Sequence, residues 1–260
     1  MHGLRLVTSP ATNSSAIATS GLCCNASEIP TGGIITSLGL VSRTALLAGA
    51  TGLVGHQVLS LLLADAAWTS VMTIGRRAAP LHHPKLAQRV VDLGALDSVS
   101  DLPHVDDVFC CLGTTIKQAG SPEAFRRVDY EFVVGLGRAG VRAGANQFLL
   151  VSAIGASQTS RVFYSRVKGE TEAAIAQLRY RSTQIFHPSL LLGERTEFRL
   201  GERIAILAAP VLSAPLVGGL RRYRPVKAET VARAMVSVAR DAPPGLTVFE
   251  YDAMIASARR

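Results

Sequence analysis

Tyr164 and Lys168 stand four residues apart in a stretch of helical pattern, which sets both side chains on one helix face. An ammonium beside a phenol favours the phenolate and lowers a pKa that is about 10 in free tyrosine. Such a pair suits proton transfer to an oxygen whose carbon receives a hydride. Ser152 precedes the tyrosine by twelve residues, at the end of an apolar run. Its hydroxyl either polarises the same oxygen or bonds the backbone at the strand end. Tyr-x-x-x-Lys alone is common, so the pair takes its weight from what surrounds it.

The strongest surrounding feature is Gly49-Ala50-Thr51-Gly52-Leu53-Val54-Gly55, where an apolar strand passes into a helical pattern. Gly49 permits a tight turn, Gly52 lets backbone approach a diphosphate, and Gly55 lets the helix pack on the sheet. Backbone N–H groups from Thr51 through Leu53 and Val54 then face the anion with the positive end of the helix dipole. The next strand ends in Arg76-Arg77, where a protein selecting NAD usually carries a carboxylate. Guanidinium groups there bind the 2′-phosphate of NADP, so the expected cofactor is NADP(H) rather than NAD(H). Asp92 and Leu93, at the end of a third strand, either meet the adenine or, for the aspartate, cap a turn.

These residues need a frame, and the chain supplies one by alternating apolar runs with helical patterns from Thr44 onward. Strands are predicted over 44–48, 70–74, 89–93, 107–111, 147–152, 183–186 and 247–251, and helices over 54–63, 164–178 and 228–239. A further helix opens at Ser121-Pro122-Glu123, with Phe125, Val128, Phe132, Leu136 and Ala139 on one face. The fold class is α/β: a Rossmann-type doubly wound parallel sheet over 43–260, with a small C-terminal substrate-covering region at about 189–225.

The sequence has 260 residues, 48% hydrophobic and 18% charged, which suits one such domain. No apolar run reaches the length of about 18 residues that a membrane span needs. The net charge of +8 is scattered along the chain, which argues against nucleic acid and is compatible with a nucleotide phosphate. Arg221, Arg222, Arg224 and Lys227 either meet an acidic substrate group or partner, or form a solvated basic loop; the loop is preferred. Cys23-Cys24 and Cys110-Cys111 lack the spacing of a zinc site, so no metal is expected and the thiols are read as reduced, in a cytoplasmic protein. Residues 1–42, rich in Ser, Thr, Gly and Ala, carry only Arg5 and Glu28 as charged residues and are read as a disordered extension.

With these motifs in place, residues 44–251 resemble the short-chain dehydrogenase/reductase superfamily in its atypical branch. The likeness is to the Tat-interacting-protein-like oxidoreductases and their bacterial relatives described as nucleoside-diphosphate-sugar epimerase-like. Besides the glycine turn it rests on Cys110-Cys111-Leu112-Gly113-Thr114-Thr115, Tyr164-x-x-x-Lys168-Gly169-Glu170, Pro188-Ser189-Leu190-Leu191-Leu192-Gly193-Glu194-Arg195 and Tyr223-Arg224-Pro225-Val226. The resemblance implies that Leu112, Gly113, Thr114 and Pro188 line the cofactor, that Tyr164 is the proton donor, and that Lys168 holds the nicotinamide ribose. Relatives often carry two serines after the fifth strand, whereas here Ser152 is followed by Ala153. Three functions follow: an NADPH-dependent reductase of a small-molecule carbonyl, which is preferred, a non-catalytic NADPH-binding regulator or redox sensor, and a nucleotide-sugar epimerase or dehydratase.

Overall fold

The first strand, β1 (Arg43–Ala48), is apolar and buried from Ala45 to Ala48 because both of its faces are covered there. Ala45 and Leu47 pack with one group of helices, Leu46 and Ala48 with the other. The computed structural model describes residues 42–98, 101–193 and 217–260. The extension expected over 1–42, except Ser42, and the middle of the expected covering region therefore lie outside the described residues.

From β1 the chain runs through α1 (Leu53–Ala64), β2 (Trp68–Gly75), β3 (Leu86–Val90) and β4 (Asp107–Cys110). It continues through α2 (Ile116–Ala119), α3 (Pro122–Arg126), α4 (Phe132–Arg142), β5 (Gln147–Val151), α5 (Phe163–Gln177) and β6 (Ser182–Phe186). The short strands β7 (Leu191–Leu192) and β8 (Val226–Lys227) precede α6 (Ala228–Asp241), β9 (Gly245–Phe249) and α7 (Tyr251–Ala258). Seven strands make one sheet in the order β3-β2-β1-β4-β5-β6-β9, with every neighbouring pair parallel. The expected doubly wound α/β fold is present. Strand order reverses between β1 and β4, and a crevice beyond the carboxyl ends of those strands is where such sheets bind ligands.

Helices α1, α6 and α7 cover one face of the sheet, through Val58, Leu62, Val231, Met235 and Met254 among others. Helices α4 and α5 cover the opposite face through Val133, Leu136 and Ile175. At the amino ends of the strands the buried Asp107 carboxylate pairs with Arg43 and accepts a 2.7 Å hydrogen bond from Trp68 Nε1. Its burial raises the Asp107 pKa, against the opposing pull of Arg43 and the Trp68 hydrogen bond. This network ties β1, β2 and β4 at the end of the sheet away from the crevice.

Two predicted elements need correction. The third strand is 86–90 rather than 89–93, because an edge strand is half exposed and its apolar content does not mark it. Leu93 instead turns into a 3-10 helix, Leu93–Ser98, and is buried there. The last strand ends at Phe249, and Tyr251 opens a helix with Met254 buried beneath it.

Candidate functional site

The glycine turn joins β1 to α1 at the strand-order reversal. Gly49 has φ +86°, and a Cβ there would lie 2.4 Å from the Cys111 carbonyl oxygen on the loop after β4. At Gly55 a Cβ would lie 2.0 Å from the carbonyl oxygen of Gly49, so the helix rests directly on the turn. Gly52, at φ −85°, caps α1, and its N–H donates to Gly49 at 2.9 Å. The helical ladder starts with His56 N–H donating to Gly52. The N–H groups of Leu53, Val54 and Gly55 consequently have no acceptor within the helix, and no acidic side chain stands in the first turn. Thr51 and Gly52 are exposed at its rim. This cradle fits a diphosphate: open amides face it, and added Cβ atoms at two of its glycines would collide with backbone.

Arg76 and Arg77 follow β2 and are exposed, with no ion pair or hydrogen bond formed among the described residues. Asp92 accepts a 3.0 Å hydrogen bond from the N–H of Gly94, so its carboxylate caps the 3-10 turn. Leu93 packs in the core beside Ile74, and Leu112 in the same cluster. Gly113 is exposed at the crevice. Cys110 is buried, and burial pushes its thiol up to about 12, which makes it an inert core residue.

Lys168 lies on α5 one turn after Tyr164, and its Nζ is 2.7 Å from Asp129 Oδ1. Asp129 is completely buried and Lys168 is 6% exposed. The second carboxylate oxygen of Asp129 accepts a 2.9 Å hydrogen bond from the N–H of Thr114. One carboxylate thus joins the β4 loop to α5. Burial opposes the charge on Lys168, but Asp129 and the nearby Tyr164 more than offset it and hold the ammonium above its ordinary pKa.

Asp129 escaped the sequence reading, which placed Val128 on the buried face. A π-helical turn, Arg127–Glu131, separates α3 from α4 and rotates the following residue inward. Arg126, Arg127 and Glu131 around Asp129 are also charged, so no local pattern singled it out. Gly169 permits close approach of α5 to the preceding loop, since a Cβ there would lie 2.3 Å from the Ser157 carbonyl carbon. Tyr164 is half-buried, its ring 5.3 Å from that of Phe125, and its hydroxyl forms no hydrogen bond among the described residues.

Ser152 is also at this end of the sheet, but its hydroxyl donates to Glu172 Oε1. His187 Nε2 lies 2.8 Å from the same oxygen. Tyr164, Lys168 and Glu172 occupy successive turns of one α5 face, and Glu172 was likewise missed from sequence. A carbonyl-polarising role for Ser152 would require it to leave a carboxylate partner. Pro188 is buried beside this cluster, its carbonyl accepting from Ile154 N–H at 3.0 Å.

Of the expected covering region, β7 pairs with β8 in parallel, and Gly193 approaches Leu53 of the glycine turn. Glu194 and Arg195 lie outside the described residues. In the basic stretch, Arg221 pairs with Asp252 at 2.7 Å and Arg222 with Glu250 at 3.6 Å, while Lys227 is exposed. Among the described residues, no group of three metal-ligating side chains converges, and no helix is long and apolar enough to cross a membrane.

No family model matches the sequence. The chain is similar to Protein HTATIP2 of Rattus norvegicus, 34% identical over 63% of this chain and 69% of that protein. It is also similar to the mitochondrial protein fmp52 of Aspergillus fumigatus, 33% identical over 76% of this chain and 90% of that protein. Among solved structures, MoeE5 in complex with UDP-glucose and NAD superposes with a TM-score of 0.60 at 18% identity, covering 83% of this chain and 81% of that one. Human epimerase family protein SDR39U1 with NADPH gives 0.56 at 16% identity, covering 80% and 74%. These likenesses, with the sheet order, make the fold an NAD(P)-binding Rossmann fold of the epimerase-like kind. The cytoplasmic expectation is corrected by the fungal relatives, which are named as mitochondrial proteins. Thiol composition distinguishes reducing from oxidising surroundings and carries no address within the cell.

Proposed function

Because the chain belongs to the HTATIP2 and FMP52 family of atypical short-chain dehydrogenases/reductases, we propose that it is an NADP(H)-dependent oxidoreductase that reduces a small-molecule carbonyl. One observation carries the reading: the buried Lys168–Asp129 pair stands one helical turn from the Tyr164 hydroxyl, which has no hydrogen bond among the described residues, at the strand ends that also form the amide cradle. The N–H groups of Leu53 and Val54 hold the coenzyme diphosphate, and Arg76 and Arg77 take its 2′-phosphate. Gly113 and Lys168 flank the nicotinamide ribose. The bound coenzyme supplies a hydride.

Tyr164 gives its hydroxyl proton to the carbonyl oxygen as the carbonyl carbon gains the hydride, so the product is an alcohol. The resulting phenolate lies beside an ammonium that burial and Asp129 keep fixed, and it recovers its proton from solvent. The π-helical turn that carries Asp129 supports this reading, since such turns recur at functional sites.

Purified wild type and Tyr164→Phe, assayed with NADPH and a panel of aldehydes and ketones, test the proposal. Removing the proton donor is expected to lower kcat about 100-fold or more. NADPH affinity should be retained, because the hydroxyl is assigned to the substrate. Equal turnover in the two proteins, or none in either, would contradict it.

A further inference from the structure

Several hydroxyl groups near Lys168 are already engaged. Ser152 donates to Glu172, an oxygen that His187 Nε2 also approaches at 2.8 Å. Thr171 Oγ1 lies 2.8 Å from the backbone carbonyl oxygen of Asp129 and 2.8 Å from that of Val167. Thr115 Oγ1 caps α2 by accepting from the N–H of Gln118 at 3.1 Å. Thr114 differs from Ser152 and Thr171, whose protons go to strong acceptors, and from Thr115, whose hydroxyl is tied to the exposed α2 cap. Among the described residues its hydroxyl makes one hydrogen bond, 3.4 Å to the carbonyl of Thr115, well beyond the length of about 2.7–2.8 Å usual for such a bond.

The position of Thr114 is nonetheless fixed. Its N–H donates to Asp129 Oδ2 at 2.9 Å, while Asp129 Oδ1 is 2.7 Å from Lys168 Nζ. At the preceding residue, Gly113, a Cβ would lie 3.6 Å from the same Nζ. The residue is half-buried and sits on the loop after β4, beside the reversal of strand order. A rigid backbone next to the ammonium therefore carries a hydroxyl whose proton is held weakly.

Resting on the oxidoreductase reading above, we propose that Thr114 is the catalytic hydroxyl that donates a hydrogen bond to the reacting oxygen. Ser152 would have to withdraw its proton from a carboxylate to do the same, leaving a largely buried acceptor with one donor fewer. Thr114 gives up a contact of little strength. No group is transferred in this step: Thr114 polarises the carbonyl as negative charge builds on oxygen, and Tyr164 delivers the proton.

The test uses Thr114→Val, which keeps shape and removes the donor, and Thr114→Ser, which restores it. Both are assayed with NADPH and those aldehydes and ketones that the wild type reduces. Loss of a donor aimed at developing charge lowers kcat by roughly 100-fold, so Thr114→Val should show that loss at saturating NADPH, with the unfolding midpoint near wild type. Thr114→Ser should recover kcat to within about threefold of wild type, since its hydroxyl occupies the same site. Turnover by Thr114→Val within about twofold of wild type overturns the proposal. If Tyr164→Phe loses turnover while Thr114→Val keeps it, the oxidoreductase reading stands and the Thr114 assignment fails. If the wild type reduces no member of the panel, both fail.

Discussion

Gly55→Ala is expected to weaken NADPH binding at least about a hundredfold, through the loss of two charge-assisted amide contacts worth about 1.5–3 kcal/mol each. The added methyl would meet the Gly49 carbonyl oxygen at 2.0 Å and its carbon at 2.7 Å, so the turn has to open. Opening it moves the amides of Leu53 and Val54 away from a common focus. Overpacking of this kind also lowers stability by about 1–3 kcal/mol, visible as an earlier chemical unfolding transition. Gly52→Ala gives the internal comparison. There the methyl lies 3.3 Å from the Gly49 carbonyl oxygen, a far lesser clash, and the backbone angles suit any residue, so the stability loss should be smaller than in Gly55→Ala. Coenzyme binding should still weaken, because the methyl occupies the approach of the diphosphate. Calorimetric titration of both variants checks the pair, and undiminished NADPH affinity in Gly55→Ala would contradict the cradle.

Asp129→Ala is expected to cost about 3–5 kcal/mol of unfolding free energy, because it leaves a buried ammonium without its counter-charge. It also removes the acceptor for Thr114 N–H, so the β4 loop loses its tie to α5. Turnover should fall with stability, whereas Asp129→Asn, which still accepts from Thr114, should retain more of both. The pH dependence has a definite sign. Lys168 is held above its ordinary value in the fold, so its contribution is fully present below the unfolded pKa of about 10.4 and is lost as pH rises through the folded value. Without Asp129, burial dominates and the ammonium loses its proton at lower pH. Denaturant unfolding of the two proteins between neutral and strongly alkaline pH measures the difference. A loss below about 1 kcal/mol in Asp129→Ala would show that the pair does not hold the site together.

The sequence made the frame legible where burial is strong on both faces. The runs at 44–48, 107–111 and 147–152 mark central strands, and the glycines at 49, 52 and 55 mark the turn between a strand and a helix. The edge strand Leu86–Val90 was misplaced by three residues because its exposed side chains carry no apolar pattern. Helix α7 was hidden by its apolar neighbours, Val248 and Phe249, which extend the strand pattern into Tyr251. At the site, Tyr164 and Lys168 were readable because their spacing fits one helix face. Asp129 was not, since a π-helical turn breaks the 3.6-residue period on which such readings depend. Glu172 and His187 come together from α5 and the end of β6, and no local pattern records a contact between elements that far apart in sequence.

The basic stretch at 221–227 is a largely exposed loop, the preferred of its two readings. Arg221 and Arg222 face carboxylates of Asp252 and Glu250, so the loop leans toward its own protein rather than presenting a row of free guanidinium groups. Arg76 and Arg77 carry the same charge in a different setting, beside the cradle and without a carboxylate partner among the described residues.

The most direct measurement is a titration of the purified protein with NADPH and with NADH, repeated on Arg76→Ala/Arg77→Ala. Wild type should prefer NADPH by at least about tenfold, equivalent to 1.4 kcal/mol from the guanidinium contacts to the extra phosphate, and the double substitution should abolish that preference. Equal affinity of the wild type for both coenzymes, unaltered by the double substitution, would contradict the account.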